Sequence, residues 1–233
     1  MNAFLQPGFQ IPSASSFPIA AFGTQCTGHD LLAPLAASSV ILRANREQQI
    51  FAQGDPADYC YRILSGCVRT VSLMEDGRRQ VSEFLLRGDL LGWDAVDEYD
   101  VSAEAVTPVI LRRCRRRSIE ALADANVEVA RRLRTLSAGK LRAARERMVL
   151  LGRKTAAERI ASFLIEMTQR TRTTEIPLPM TRADIADHLG LTIETVCRGL
   201  AQLQREGTIK LRRGNVAIRD QRALGLASYR AIH

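Results

Sequence analysis

Glu194, Thr195, Cys197 and Arg198 fall within five positions in the stretch Met180–Gly207, and their types are suited to recognition. A carboxylate accepts hydrogen bonds, a guanidinium donates two in a fixed fork, and on a helix Glu194 and Arg198 lie one turn apart. Ile193, Val196, Leu200 and Leu203 recur at helical spacing in the same stretch, so Glu194, Thr195, Cys197, Arg198 and Gln202 fall off the apolar stripe. The helix that carries them is predicted from Thr192, its cap, to about Arg205. Before it, Thr181 caps a shorter helix with Asp184 in its first turn and Ile185, Ala186 and Leu189 on its apolar side, and Gly190 supplies the turn between the two. A short helix, a glycine turn and a second helix with polar groups near its N-terminus describe a helix-turn-helix, whose second helix enters a DNA major groove.

The plainer alternative is a pair of ordinary helices in an all-α domain. The residues that follow disfavour it. Thr208–Leu211 and Val216–Ile218 read as strands joined by the basic turn Arg212-Arg213-Gly214-Asn215, a hairpin wing whose tip can reach phosphates. Residues 152–233 carry 14 basic and 8 acidic side chains, so most of the chain's net charge of +8 lies in the third of the sequence that would face a polyanion.

The upstream elements must position this unit. Residues 1–28 are uncharged and rich in Pro, Ser and Gly, the composition of a poorly ordered arm. From Leu42 to Leu111, short alternating runs at Gln49–Phe51, Cys60–Leu64, Val68–Leu73, Val81–Leu85 and Ala103–Leu111 are separated by glycine turns, which predicts a compact antiparallel β-roll over residues 29–117. One long helix is expected over 118–151. Leu141, Ala144, Met148 and Leu151 form a narrow apolar seam on it, with Leu133 and Leu136 offset and Lys140 interrupting. A seam this narrow suits pairing with a second copy through Leu133, Leu141, Ala144, Met148 and Leu151; packing on the β-domain is the alternative. Gly152 is expected to break the helix, and an amphipathic helix from Thr155 to Thr168 then opens the third unit, 152–233, followed by a polar loop over Thr171–Pro179.

At 233 residues the chain can bury a sizeable core, and a hydrophobic fraction of 46% with 25% charged residues is that of an ordinary globular protein. Lys140, Lys154 and Lys210 are its only lysines; arginine suits bidentate contacts to guanine or phosphate, and a GC-rich genome produces the same bias. No apolar run reaches the roughly 18 residues of a membrane span, and no basic residue precedes the Phe17–Phe22 patch, so a cytoplasmic protein is expected. Five irregularly spaced cysteines fit a reducing compartment, with Cys60, Cys67 and Cys114 expected to be structural. Cys26 and His29 make a C-x-x-H pair, but a structural metal needs about four ligands and no others are near, so no metal and no cofactor are expected. The three histidines are far apart and no phosphate loop or nucleophile elbow is present, which argues against an enzyme.

The order β-roll, long helix, winged helix-turn-helix resembles the CRP/FNR superfamily of bacterial transcription regulators from about Leu42 to Leu226. Phe51-Ala-Gln-Gly-Asp-Pro, Tyr61-Arg-Ile-Leu-Ser-Gly-Cys-Val68 and Gly88-Asp-Leu-Leu-Gly92 are similar to the glycine-marked turns of that fold. Lys154-Thr-Ala-Ala-Glu-Arg-Ile-Ala161 and the run Met180–Arg198 look like the FNR branch, in which a Glu-x-x-Ser-Arg motif reads the half-site TTGAT; here it stands as Glu194-Thr195-Val196-Cys197-Arg198. The resemblance implies a homodimer on a palindrome near TTGAT-N4-ATCAA. Arg198 would donate to O6 and N7 of the guanine and Glu194 accept from a cytosine amino group, with Cys197 beside them. Arg182, Thr192, Thr195, Arg212 and Arg213 would contact phosphates. The hairpin tip Leu73–Arg79 would contact RNA polymerase in an activator, although Arg78 stands where the branch tends to have an acid.

Three departures narrow the resemblance. Oxygen sensors of the FNR type carry a cysteine cluster in the N-terminal arm, where this chain has Cys26 alone; cyclic-AMP-binding members carry an Arg-Ser pair in the β-roll, where it has Val101-Ser102. Loss of both resembles the FixK-like branch, which acts in oxygen-limited gene control without an effector of its own. A β-roll that gates DNA binding through haem, a nucleotide or another small molecule is the alternative. Third, Cys197 replaces the usual serine. Either it is a small partner for a base, or, beside Arg198 near a helix N-terminus, it is readily oxidised and its oxidation weakens DNA binding. The basic run Arg112–Arg117, interrupted by Cys114, reads as a solvated surface or as a further DNA contact.

Overall fold

The computed structural model describes residues 33–229. Cys26, His29 and the 1–28 arm lie outside the described residues. After a 3₁₀ turn (Ala33–Ser38) come eight strands: β1 (Val40–Ala44), β2 (Gln49–Phe51), β3 (Tyr59–Ser65), β4 (Val68–Leu73), β5 (Arg79–Leu85), β6 (Leu90–Leu91), β7 (Ser102–Ala105) and β8 (Val109–Arg115). They form two antiparallel four-stranded sheets, in the orders β1-β8-β3-β6 and β2-β7-β4-β5. Phe51, Tyr61, Tyr99, Val68, Leu85 and Leu111 fill the space between the sheets. The expected strand Ala103–Leu111 is two strands, because at the bend the amides of Val106 and Thr107 both donate to the carbonyl of Cys67 and Pro108 has no amide to continue a ladder.

The expected single helix over 118–151 is also two, α1 (Arg116–Ala125) and α2 (Val127–Arg153). Asn126 interrupts them in an extended conformation, and its side chain accepts from the amides of Glu128 and Val129, capping α2. Gly152 does not end α2. One glycine costs a helix about 1 kcal/mol, too little to stop it, and the chain turns instead at Lys154, where Thr155 and Glu158 form a capping box that starts α3 (Ala156–Thr171).

Next come β9 (Glu175–Pro177), α4 (Arg182–Leu189), α5 (Ile193–Arg205), β10 (Ile209–Arg212), β11 (Asn215–Ile218) and α6 (Gln221–Ala227). The segment expected to be a polar loop contains β9, which pairs with β11; Ile176, fully buried in that strand, supplies the apolar surface that holds the wing on the helices. A single hydrophobic core runs from the β4–β5 side of the roll (Val71, Val81, Phe84) into α3, α4 and α5 (Leu164, Ile185, Val196), so the third unit is packed on the β-roll as well as tethered to it. Among the described residues no helix is long and apolar enough to cross a membrane.

Candidate nucleic-acid interface

Thr181 accepts from the amide of Asp184 while Asp184 Oδ2 accepts from the amide and hydroxyl of Thr181, a reciprocal cap that fixes where α4 begins. Gly190 then takes the left-handed conformation (φ 61°) and turns the chain at low steric cost. Thr192 starts α5 by accepting from the amide of Thr195 at 3.2 Å, with the two hydroxyls 3.0 Å apart. Val196, Leu200 and Leu203 are buried, and Gly199 lets α5 approach α3 so closely that a methyl group there would meet Ile160 Cδ1. Ile193, expected in this packed stripe, is 47% exposed instead, because it opens the helix beyond the part of the stripe that the core reaches.

The opposite side of α5 is left uncovered. Glu194, Cys197, Arg198 and Gln202 are exposed and Thr195 is half-buried. Glu194 is held below the usual carboxylate range by its own backbone N–H and the Thr192 hydroxyl, with Arg198 a weaker influence, so it stays an ionised acceptor. Among the described residues Glu194 and Arg198 form no ion pair. Their shared face is set by helix geometry and not by mutual attraction. In the wing, β10 and β11 pair from Ile209↔Ile218 to Arg212↔Asn215, and Arg213-Gly214 forms the tip with Gly214 at φ 75°. Arg213 is exposed, whereas Arg212 donates to Glu175 of β9 at 2.8 Å, a half-exposed pair worth little that a phosphate can displace. Arg182 is half-buried in the first turn of α4, and the Thr192 hydroxyl is already engaged as a cap.

The expected pairing residues divide. Leu133 is 3% exposed and packs with Cys60, Cys114, Ile119 and Leu136 against the β-roll, so it is no part of an intermolecular seam. Leu141, Ala144 and Met148 are exposed, Leu151 half-buried against Gly190. Lys140 does not interrupt that seam, since its ammonium points to Asp94 (3.0 Å) and Glu83 (3.5 Å) of the β-roll. The basic run is largely structural. Arg113 lies over the Tyr59 ring at 4.3 Å, and Arg116 donates to the carbonyls of Ala57, Gly92 and Trp93. Cys60, Cys67 and Cys114 are buried, and burial pushes the Cys60 and Cys67 thiols up to about 12; Cys197 alone among the described cysteines is exposed.

Arg159 was not singled out by spacing or composition, yet it ties the unit together. Its guanidinium donates to the carbonyls of Leu151, Lys154, Leu189 and Gly190, joining the end of α2, the start of α3 and the helix-turn-helix turn. A cavity of about 450 Å³ lies between the β-roll and α2, lined by Thr70, Gln80, Leu91, Val101, Lys140 and Arg147, among others. Two of its three cations are held by carboxylates, Lys140 as above and Arg170 by Asp89 and Glu166; Arg147 has no carboxylate partner among the described residues and meets only His188, at Nε2 (3.4 Å) and the carbonyl (3.5 Å).

A model of the Crp-like helix-turn-helix domain matches residues 158–226, and one of the cyclic nucleotide-binding domain matches residues 41–126. The nitrogen fixation regulation protein FixK of Azorhizobium caulinodans is 45% identical over 186 residues, 77% of this chain and 75% of that protein. The chain belongs to the CRP/FNR family. Within this family it is FixK-like: the FixK of Rhizobium meliloti is 38% identical over 77% of this chain and 82% of its own. The solved structure of FixK2 from Bradyrhizobium japonicum superposes with a TM-score of 0.78 at 38% identity, covering 83% of this chain and 99% of that one. This CRP/FNR member is therefore a helix-turn-helix, DNA-binding transcription regulator, and its relatives are regulators rather than enzymes.

Proposed function

We propose that this regulator binds a palindrome near TTGAT-N4-ATCAA as a homodimer, needs no classical effector, and activates genes of oxygen limitation, such as microaerobic respiration, denitrification or nitrogen fixation. The observation that carries the reading is the recognition face itself. Glu194, Cys197 and Arg198 project from one side of α5 while Val196, Leu200 and Leu203 anchor the other. Arg198 suits O6 and N7 of the guanine, and Glu194 the amino group of a cytosine. Thr192, Thr195, Arg182, Arg212 and Arg213 flank that face as phosphate contacts. The FixK names of the relatives support the physiological role.

The dimer pairs α2 with its own copy along Leu141, Ala144, Met148 and Leu151, which places two recognition helices roughly 34 Å apart. Val101 offers no cation to a cyclic phosphate, and Lys140 and Arg170 beside the cavity already have carboxylate partners, which supports effector independence. The dimer works in the cytoplasm and engages RNA polymerase through the β4–β5 tip, where Arg78 and Asp76 form an exposed pair at 2.7 Å. Peroxide oxidation of Cys197 weakens binding; a Cys197→Ala protein that loses affinity to peroxide as wild type does rules that control out.

A gel-shift titration of the purified, reduced protein without ligand tests the main reading, using TTGAT-N4-ATCAA and a duplex with both guanines replaced. Tight binding to the first alone is expected. Weak and equal binding to both favours the second reading, in which the 450 Å³ cavity takes a small molecule that gates DNA binding.

A further inference from the structure

A two-residue link, Lys154-Thr155, joins α2 to the DNA-binding unit, and such a link does not by itself fix an angle. Arg159 ties the end of α2 to the turn between α4 and α5, and the β4–β5 hairpin holds α4 itself from the other side. Arg69 of β4 is 5% exposed, and its guanidinium is seated on the roll by Glu104 (Nε to Oε2, 2.9 Å) and Glu47. From there Arg69 Nη1 donates to Asp184 Oδ1 at 3.0 Å. Arg79 of β5 donates to the same oxygen at 2.6 Å and, through Nε, to Asp187 Oδ2 at 3.0 Å. Farther along β5, the Val81 carbonyl accepts from His188 Nδ1 at 3.1 Å. Asp184 thus works with both oxygens: Oδ2 caps α4 and Oδ1 ties it to the β-roll.

These contacts use only the side of the helix-turn-helix away from the DNA face. Arg69 and Asp184 are buried at their centre, with the partly exposed Arg79, Asp187 and Glu104 and the exposed Glu47 around them, and each carboxylate and guanidinium has at least one charged partner. We infer that Arg69 and Arg79 are positioning residues for DNA binding: by clamping Asp184 and Asp187 they set the orientation of each recognition helix, and hence the spacer length that a dimer accepts. The inference rests on the palindrome reading. Without the clamp each α5 still reads its half-site, but the two are no longer held at one separation, so discrimination among spacers falls while half-site reading and phosphate contacts persist.

The test uses the full chain. Wild type, Arg79→Gln, Asp187→Asn and Arg79→Lys are titrated on TTGAT palindromes with spacers of three, four and five base pairs and on a single half-site, with dimer mass measured by light scattering. The Arg79→Gln variant leaves Asp184 its Arg69 partner and its cap, and Asp187→Asn removes one rim contact only. The expected result is that Arg79→Gln lowers the preference for the four-base spacer about tenfold, within the range of ordinary coupling between sites, with half-site affinity unchanged. Asp187→Asn produces a smaller loss in the same direction, and Arg79→Lys restores part of it. A dimeric Arg79→Gln or Asp187→Asn protein with the wild-type spacer preference overturns the inference. Wild type that binds all three spacers alike overturns the palindrome reading, and this one with it.

Discussion

The two helices of the helix-turn-helix begin alike and end in opposite roles. Each opens on a threonine cap followed by an acid in the first turn, Thr181 with Asp184 and Thr192 with Glu194. Asp184 is 1% exposed; burial raises its carboxyl, but hydrogen bonds from Thr181 and the guanidiniums of Arg69 and Arg79 outweigh that and hold it below the usual range. Glu194 is in solvent with no ion pair among the described residues. The same local chemistry therefore gives one acid locked into ion pairs with the β-roll and one left in solvent, where the proposed reading has it meet a base. The difference lies in what each acid's side of its helix meets: Asp184 of α4 faces β4 and β5, whereas Ile193 and Glu194 at the start of α5 are exposed among the described residues.

Replacing Asp184 by alanine should have the largest effect. It removes a cap and leaves two arginines facing a buried gap, so urea unfolding should show a loss of about 3–5 kcal/mol. A loss no larger than that of an ordinary cap would collapse the distinction between the two acids. Arg198→Ala should do the reverse, with stability kept and about 1–3 kcal/mol of discrimination at the guanine lost in competition gel shifts. An Arg198→Ala dimer that still prefers the guanine as wild type does would remove Arg198 from the reading face.

Acid should act on the α4 side. His188 is fully enclosed by Phe84, Phe163 and Arg147, and burial, then the Arg147 guanidinium, hold its imidazole well below the usual value. The unfolded chain takes up that proton near pH 6.5 and the folded chain does not, so stability should fall as pH drops below about 6.5, by at most about 1.4 kcal/mol per pH unit. Asp184, with its carboxyl lowered, contributes above its unfolded value and loses that contribution only at still lower pH. Unfolding curves of His188→Gln should lack the first window and keep the second. Thr192→Ala should cost about 1 kcal/mol in thermal unfolding, the worth of a helix cap. The smallest effect is expected from Arg212→Ala, which should weaken all DNA sequences alike and lower the salt slope by about 1, since its Glu175 partner already satisfies it in the free protein.

Local signals in the sequence were strong where one residue decides the backbone. Thr181 and Thr192 as caps, Gly190 at the turn, the Val196–Leu200–Leu203 stripe and the strands Gln49–Phe51 and Val68–Leu73 were all legible there. The break at Asn126 was not: an asparagine inside an apolar-periodic stretch reads as one more surface position until its side chain is seen turning to the amides ahead of it. Leu133 is offset from the seam it was grouped with, and spacing says which residues share a face and not what covers that face; here Cys60 and Cys114 of the β-roll cover it. Lys140 was misread for the same reason.

The sequence by itself therefore determined the order of the elements, the face of α5 that carries Glu194, Cys197 and Arg198, and the basic wing, because helical period, caps and turns act over a few residues. Only the tertiary structure decided that Asp184 meets Arg69 and Arg79, that Arg159 joins α2 to the turn, and that α2 divides into a half covered by the β-roll and a half left exposed. Those contacts span from 8 to 115 positions of chain, a separation at which no local preference acts and only the packing of one element on another brings charges together.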